Sequence, residues 1–188
     1  MIAKEVIKRF RLKDLGVIVL LALIWLGLDT VIIYSFNAQN SYIFSLVIGT
    51  LLMSLAVQLT KRFGTALLFY GISALLMQSI NDIGTTGLNK FIILVFTGLL
   101  FEIVFLMLKL EVKDIQLDIL IGTAISTATI PLTTGILLSF NVAQNMINSL
   151  LNMMLLSFFI GIVGAVLSFM VWYHFRKTKF VLKFEYGI

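Results

Sequence analysis

Six long apolar stretches follow one another along this chain, over about 15–36, 41–60, 63–80, 91–108, 117–140 and 149–173. Short polar joints separate them: "NAQN", "KRF", "NDIGTTGLN", "KLEVKDIQ" and "FNVAQNMIN". An α-helix rises about 1.5 Å per residue, so about 20 apolar residues cross the roughly 30 Å of hydrocarbon in a bilayer. The pattern therefore predicts an all-α integral membrane protein with six transmembrane helices. The joints leave no room for a soluble domain, and residues 1–188 read as a single membrane domain. The first run is too long for a signal-peptide core and lacks a small-x-small cleavage site, so it is expected to be a retained helix.

Composition strengthens this picture. Of the 188 residues, 60% are hydrophobic and 12% charged, against about 45–50% and about 25% in soluble domains. The mean hydropathy is +1.08. A net charge of +5 would suggest a nucleic-acid partner only if the basic residues clustered on one surface. They sit instead at the ends of the apolar runs, so no nucleic-acid binding is expected. The chain has no cysteine and one histidine, His174. That excludes disulfides, thiolate metal sites and any multi-histidine metal site within the chain, and no cofactor is expected.

Charge then sets the orientation. Lys4, Lys8, Arg9, Arg11 and Lys13 precede the first run, Lys61 and Arg62 lie in the second joint, and Lys109 and Lys113 in the fourth. Arg176, Lys177, Lys179 and Lys183 follow the last run. With six spans, all of these fall on one face, and only Lys90 on the other. The positive-inside rule places the basic face, and both termini, in the cytoplasm of a cell carrying the protein in its plasma membrane. The outer joints are rich in amides, among them Asn37, Gln39, Asn40, Asn81, Asn89, Asn141 and Gln144. Such loops are either solvated or close over an outward-facing pocket.

Two carboxylates interrupt the runs. Glu102 lies in "VFTGLLFEIVFLML", where an acid costs roughly 2.5–3.5 kcal/mol on insertion scales. Asp29 lies in "LALIWLGLDTVIIY", about 10 Å below the outer end of the first helix. Glu102 is about 16 Å below the outer end of the fourth helix by the same count, so the two acids are candidates to face one cavity. Trp25, four residues before Asp29, shares its helix face. An anionic site with an aromatic wall suits a cationic or heteroaromatic solute; the alternative is that each acid is bonded to a neighbouring helix or protonated. Asn141, Asn145, Asn148 and Asn152 fall on one helical face by spacing and would sit at the outer mouth of the sixth helix. There Asn145, Asn148 and Asn152 are further candidates for solute binding, or simply cap the helix.

Other features read as structural. Gly161, Gly164, Ala165 and Ser168 in "GIVGAVLSF" make a smooth stripe for close packing. "GTAISTATIPLTTGI" surrounds Pro131 with hydroxyls able to satisfy carbonyls that a proline frees. No enzymatic pattern is present: Ser73 in "YGISALL" lacks the second glycine of G-x-S-x-G, and there is no H-E-x-x-H or G-x-x-x-x-G-K-[ST]. No enzyme activity is expected, and any ATP-driven step would need another protein.

The layout of six helices in this length, the basic stretch "KRFRLKDLGVIVLLALI" entering helix one, "GLLFEIVFLML" in helix four and "GIVGAVLSF" in helix six resemble S components. These are the substrate-binding membrane subunits of energy-coupling factor (ECF) vitamin transporters, and the texture is similar to hydroxymethylpyrimidine/thiamine-type members. The resemblance implies a high-affinity binder of a small vitamin-like solute, open outward under its outer loops. It also implies a transmembrane coupling subunit and ATPase subunits as partners, besides membrane lipid. The family's first helix often carries an Ala-x-x-x-Ala docking pair; here Ala22 is followed by Leu26. Two other functions fit the composition: a self-sufficient ion- or proton-coupled transporter or channel in which Glu102 relays protons, and a membrane scaffold with no solute.

Overall fold

The computed structural model describes residues 10–108, 111–112, 115–138 and 144–176. Among the described residues six helices form: α1 (Leu12–Ser35), α2 (Ala38–Thr60), α3 (Thr65–Leu76), α4 (Gly87–Leu108), α5 (Leu117–Leu138) and α6 (Gln144–Phe175). Between α4 and α5, β1 (Glu111–Val112) and β2 (Ile115–Gln116) pair antiparallel. All helices except α3 are long and apolar enough to cross a membrane. The chain is thus an all-helical membrane protein, apart from that two-residue ladder.

The third helix departs from the expected 63–80. It has 12 residues, about 18 Å at 1.5 Å per residue, well short of a bilayer core. Its start is set by a tight turn in which Lys61 and Gly64 both take left-handed conformations, φ 51° and 89°. The glycine is at home there because it has no Cβ to clash. Thr65 ties the turn down, its hydroxyl lying 2.7 Å from the Arg62 carbonyl and 2.7 Å from the Thr60 hydroxyl. The other end is fixed from outside the helix. Lys90, one turn into α4, extends its ammonium to the carbonyls of Met77 and Ile80 at 3.0 Å each, and the Gly87 amide bonds the Gln78 carbonyl at 2.9 Å. Met77–Thr86 then runs as irregular backbone, with Met77, Asp82, Ile83 and Thr85 buried. Non-helical backbone at membrane depth is tolerated only where protein encloses it or it lines a cavity.

The helices close around α2. It packs on α1, α3, α5 and α6, while α4 lies between α3 and α5, and α6 bridges α5 back to α2. Accordingly 61% of the apolar window of α2 is buried, against 33% for α1, α4 and α6, whose outer faces keep leucines and phenylalanines for lipid. Close approach is bought by small residues. A Cβ on Gly49 would stand 2.5 Å from the Trp25 ring, and one on Gly164 would meet the Thr50 hydroxyl at 2.0 Å. One on Gly161 would meet the α5 backbone at Ala124, 2.9 Å away. The smooth stripe of α6 is therefore consumed within the chain, against α2 and α5. Ala22 is also fully buried, so it is not part of an outer docking face.

Polar side chains knit the bundle. Ser54 meets Thr123 at 3.0 Å between α2 and α5, and Tyr42 meets Ser157 at 3.0 Å between α2 and α6. Thr123, Thr127, Thr133 and Thr134 turn their hydroxyls to carbonyls one turn back on α5, hiding them from the apolar surroundings. At the basic face, Arg62 pairs with Asp14 at 2.7 Å, joining the start of α1 to the α2–α3 turn.

Candidate functional site

The inward face of α1 carries Ile18, Ala22, Trp25, Asp29 and Ile32, all buried. Their 3–4 residue spacing is that of one helical stripe. Trp25 stacks on Phe69 of α3, with ring centroids 5.6 Å apart and planes within 5°, and meets Tyr70 edge-on at 6.1 Å. The backbone of Gly49 bounds the indole on its other side. One turn further along α3 comes Ser73, also fully buried. Among the described residues, the indole Nε1 of Trp25, the hydroxyl of Tyr70, the Oγ of Ser73 and both carboxylate oxygens of Asp29 have no hydrogen-bond partner. Buried polar groups are ordinarily paired, and each one left bare costs on the order of 1–3 kcal/mol. Four of the seven described side chains left with such an atom lie on these two packed helices.

Above them lies an ionic cluster. Lys90 pairs with Asp82 in a short contact, and Asp82 accepts the Ser45 hydroxyl at 3.1 Å on its other oxygen. Asp29 adjoins Ser45, Asp82 and Lys90. The lysine is completely buried, which is tolerable only because its charge and all three donors are matched.

Glu102 has a different partner. Its Oε1 accepts the Ala66 amide at 2.7 Å, and the amides of Gly64 and Leu67 also face the carboxylate. The acid of α4 thus caps the N-terminus of α3, where the free amides and the helix dipole both favour a negative charge. That is why an acid is tolerated in "GLLFEIVF". Glu102 and Asp29 do not share a cavity. One is at the start of α3 and the other beside the Met77 end, about 17 Å apart along 11 residues of rise. Of the other candidates, Asn152 is exposed, while the side chains of Asn145 and Asn148, and all of Asn141, lie outside the described residues.

The sequence matches no family model, no curated protein and no solved structure. Function must therefore be read from the chain's own chemistry. Among the described residues no group of three or more His, Cys, Asp or Glu could hold a metal ion.

Structure brings Trp25 and Asp29 onto one buried face, as their spacing implied, and adds Ser45, Tyr70, Ser73, Asp82 and Lys90. None of these five stood out in the sequence as a binding residue. Lys90 alone carried a signal: it is the single basic residue of the amide-rich face, set one turn inside an apolar helix. The arrangement supplies binding chemistry, an aromatic wall with unspent donors and acceptors.

Proposed function

We propose that this chain is the substrate-binding membrane subunit of an ECF-type importer for a vitamin-like small solute, with thiamine or its pyrimidine precursor the first candidate. The observation that carries this reading is the set of unpartnered polar atoms on Trp25, Asp29, Tyr70 and Ser73 inside an apolar bundle. A planar solute bearing ring nitrogens and an amino group offers complementary acceptors and donors, and its π-face suits an aromatic wall.

In this reading the chain sits in the plasma membrane with both termini in the cytoplasm. Five helices cross fully, and α3 completes the sixth crossing together with the Met77–Thr86 segment. That segment lies on the outer side, where it encloses the site from above. The Arg62–Asp14 pair and the other basic residues except Lys90 face the cytoplasm. The chain carries no nucleotide-binding pattern, so accumulation against a gradient depends on a separate coupling subunit and ATPases.

The reading is tested with proteoliposomes holding this chain alone and a radiolabelled solute, thiamine first and then its hydroxymethyl-aminopyrimidine precursor. Saturable binding without accumulation is expected. Concentrative uptake driven by an imposed ion or proton gradient would instead establish the self-sufficient transporter, a reading that the paired acids Asp29 and Asp82 favour over a relay through Glu102.

A further inference from the structure

Asp29 is fully buried, and neither of its carboxylate oxygens receives a hydrogen bond. Its charged neighbours are Asp82 on the Met77–Thr86 segment and Lys90 on α4, with the Ser45 hydroxyl of α2 beside them. An ammonium has three donors. Those of Lys90 go to the Met77 carbonyl, the Ile80 carbonyl and Asp82. A hydroxyl has one, and that of Ser45 goes to Asp82. Every donor in the cluster is thus committed, and the lysine charge is matched by Asp82. Asp29 is left next to a second carboxylate, sharing with it the Ser45 hydroxyl and the Lys90 charge, both of which Asp82 already engages. Adjacent buried acids do not both ionise unaided.

We propose that Asp29 and Asp82, with the Ser45 oxygen, form a binding site for one hard monovalent cation, a proton or a sodium ion. The cluster sums to one uncompensated negative charge, which a divalent ion would overshoot. Its available atoms are carboxylate and hydroxyl oxygens, the ligands of hard cations. The site joins α1 through Asp29, α2 through Ser45 and the irregular segment through Asp82. An occupied site fastens that segment to α1; an empty one sets two carboxylates against each other across the same seam. The docking of Met77–Thr86 is therefore cation-dependent, whether or not the chain binds an organic solute.

The test uses the full chain purified in detergent. Its melting midpoint is followed from about pH 5 to about pH 8, in sodium chloride and in equal N-methylglucamine chloride. A cation bound only by the folded state stabilises it by mass action. Withdrawing protons then lowers stability as pH rises, because the folded state holds the proton that the unfolded chain has released. The expected fall is about 3–5 °C per pH unit, from 1.4 kcal/mol per tenfold in proton activity. If the proton is the occupant, both salts give the same curve. If sodium is, it restores the midpoint at high pH saturably. Asp29→Asn, which supplies a neutral amide, flattens both dependences. A wild type indifferent to pH and sodium, or an Asp29→Asn protein retaining the wild-type curve, would overturn the proposal. Should that variant fail to fold, infrared spectra of wild type labelled with 13C-aspartate decide. A labelled carboxylic-acid carbonyl band that disappears at high pH or with sodium supports the site, and its absence in sodium-free buffer at about pH 5 refutes it.

Discussion

Replacing Glu102 by glutamine keeps the size of the side chain and one acceptor but removes the charge from the N-terminus of α3. Glu102 accepts the Ala66 amide at 2.7 Å, and the Gly64 and Leu67 amides face the same group. A partly buried charge at a helix end contributes up to about 2 kcal/mol, so Glu102→Gln is expected to cost about 1–2 kcal/mol. Glu102→Ala also strips the acceptor from buried amides, which raises the cost to about 2–4 kcal/mol. The effect is felt because α3 has only 12 residues, a length at which helices depend on their caps and packing. Equilibrium unfolding in mixed micelles, titrated with sodium dodecyl sulfate, measures both variants against wild type. Stability should fall in the order wild type, Gln, Ala, while the folded fraction of each keeps its solute. A Glu102→Gln protein of unchanged stability that has lost its solute would refute the capping role and return Glu102 to the binding site.

Lys90→Met leaves Asp82 without its counter-charge and the carbonyls of Met77 and Ile80 without their donor. It should destabilise by about 3–5 kcal/mol, and the double variant with Asp82→Asn should recover part of that loss in the same unfolding assay. Gly49→Ala drives a Cβ into the Trp25 ring, 2.5 Å away, and should cost about 1–3 kcal/mol; a melting midpoint equal to wild type would contradict the close contact of α1 and α2. For orientation, cysteines placed at Gln39 and Thr86 should react with an impermeant maleimide on intact cells, and one at Lys61 should react only after lysis. The reverse pattern would invert the topology.

The long helices were legible because hydropathy and length report directly on membrane crossing: α1, α2, α4, α5 and α6 match the apolar runs to within a few residues at most ends. The end of α3 was not legible. The apolar run reaches Met77, and the helix stops just before it, where Lys90, ten or more residues away in sequence, claims the carbonyls of Met77 and Ile80 beyond the helix end. Glu102 illustrates the same limit. Its partner is a row of backbone amides on another helix, and an amide leaves no mark in the residue pattern. That Trp25 and Asp29 share one buried face was legible because a local rule, the four-residue repeat, brings them there. The bare hydroxyls of Tyr70 and Ser73 were not legible, because a hydroxyl in an apolar helix is ordinarily bonded to its own backbone, as the threonines of α5 are. Only tertiary structure reveals that these two are not.

The central claim is that the unpaired atoms of the α1–α3 seam are kept for a solute. Mass spectrometry of small molecules retained by the detergent-purified protein, compared among wild type, Tyr70→Phe and Ser73→Ala, tests it most directly. Each substitution deletes a buried hydroxyl that has no partner in the fold, so neither should lower the stability of the empty protein. Each lost hydrogen bond to the solute is worth about 0.5–1.5 kcal/mol, so retention should weaken by about 2- to 12-fold. The expected result is one planar, nitrogen-bearing molecule carried at about one per chain by wild type and at lower occupancy by both variants. A wild type that carries no small molecule, or variants that keep their solute and lose stability instead, would contradict it.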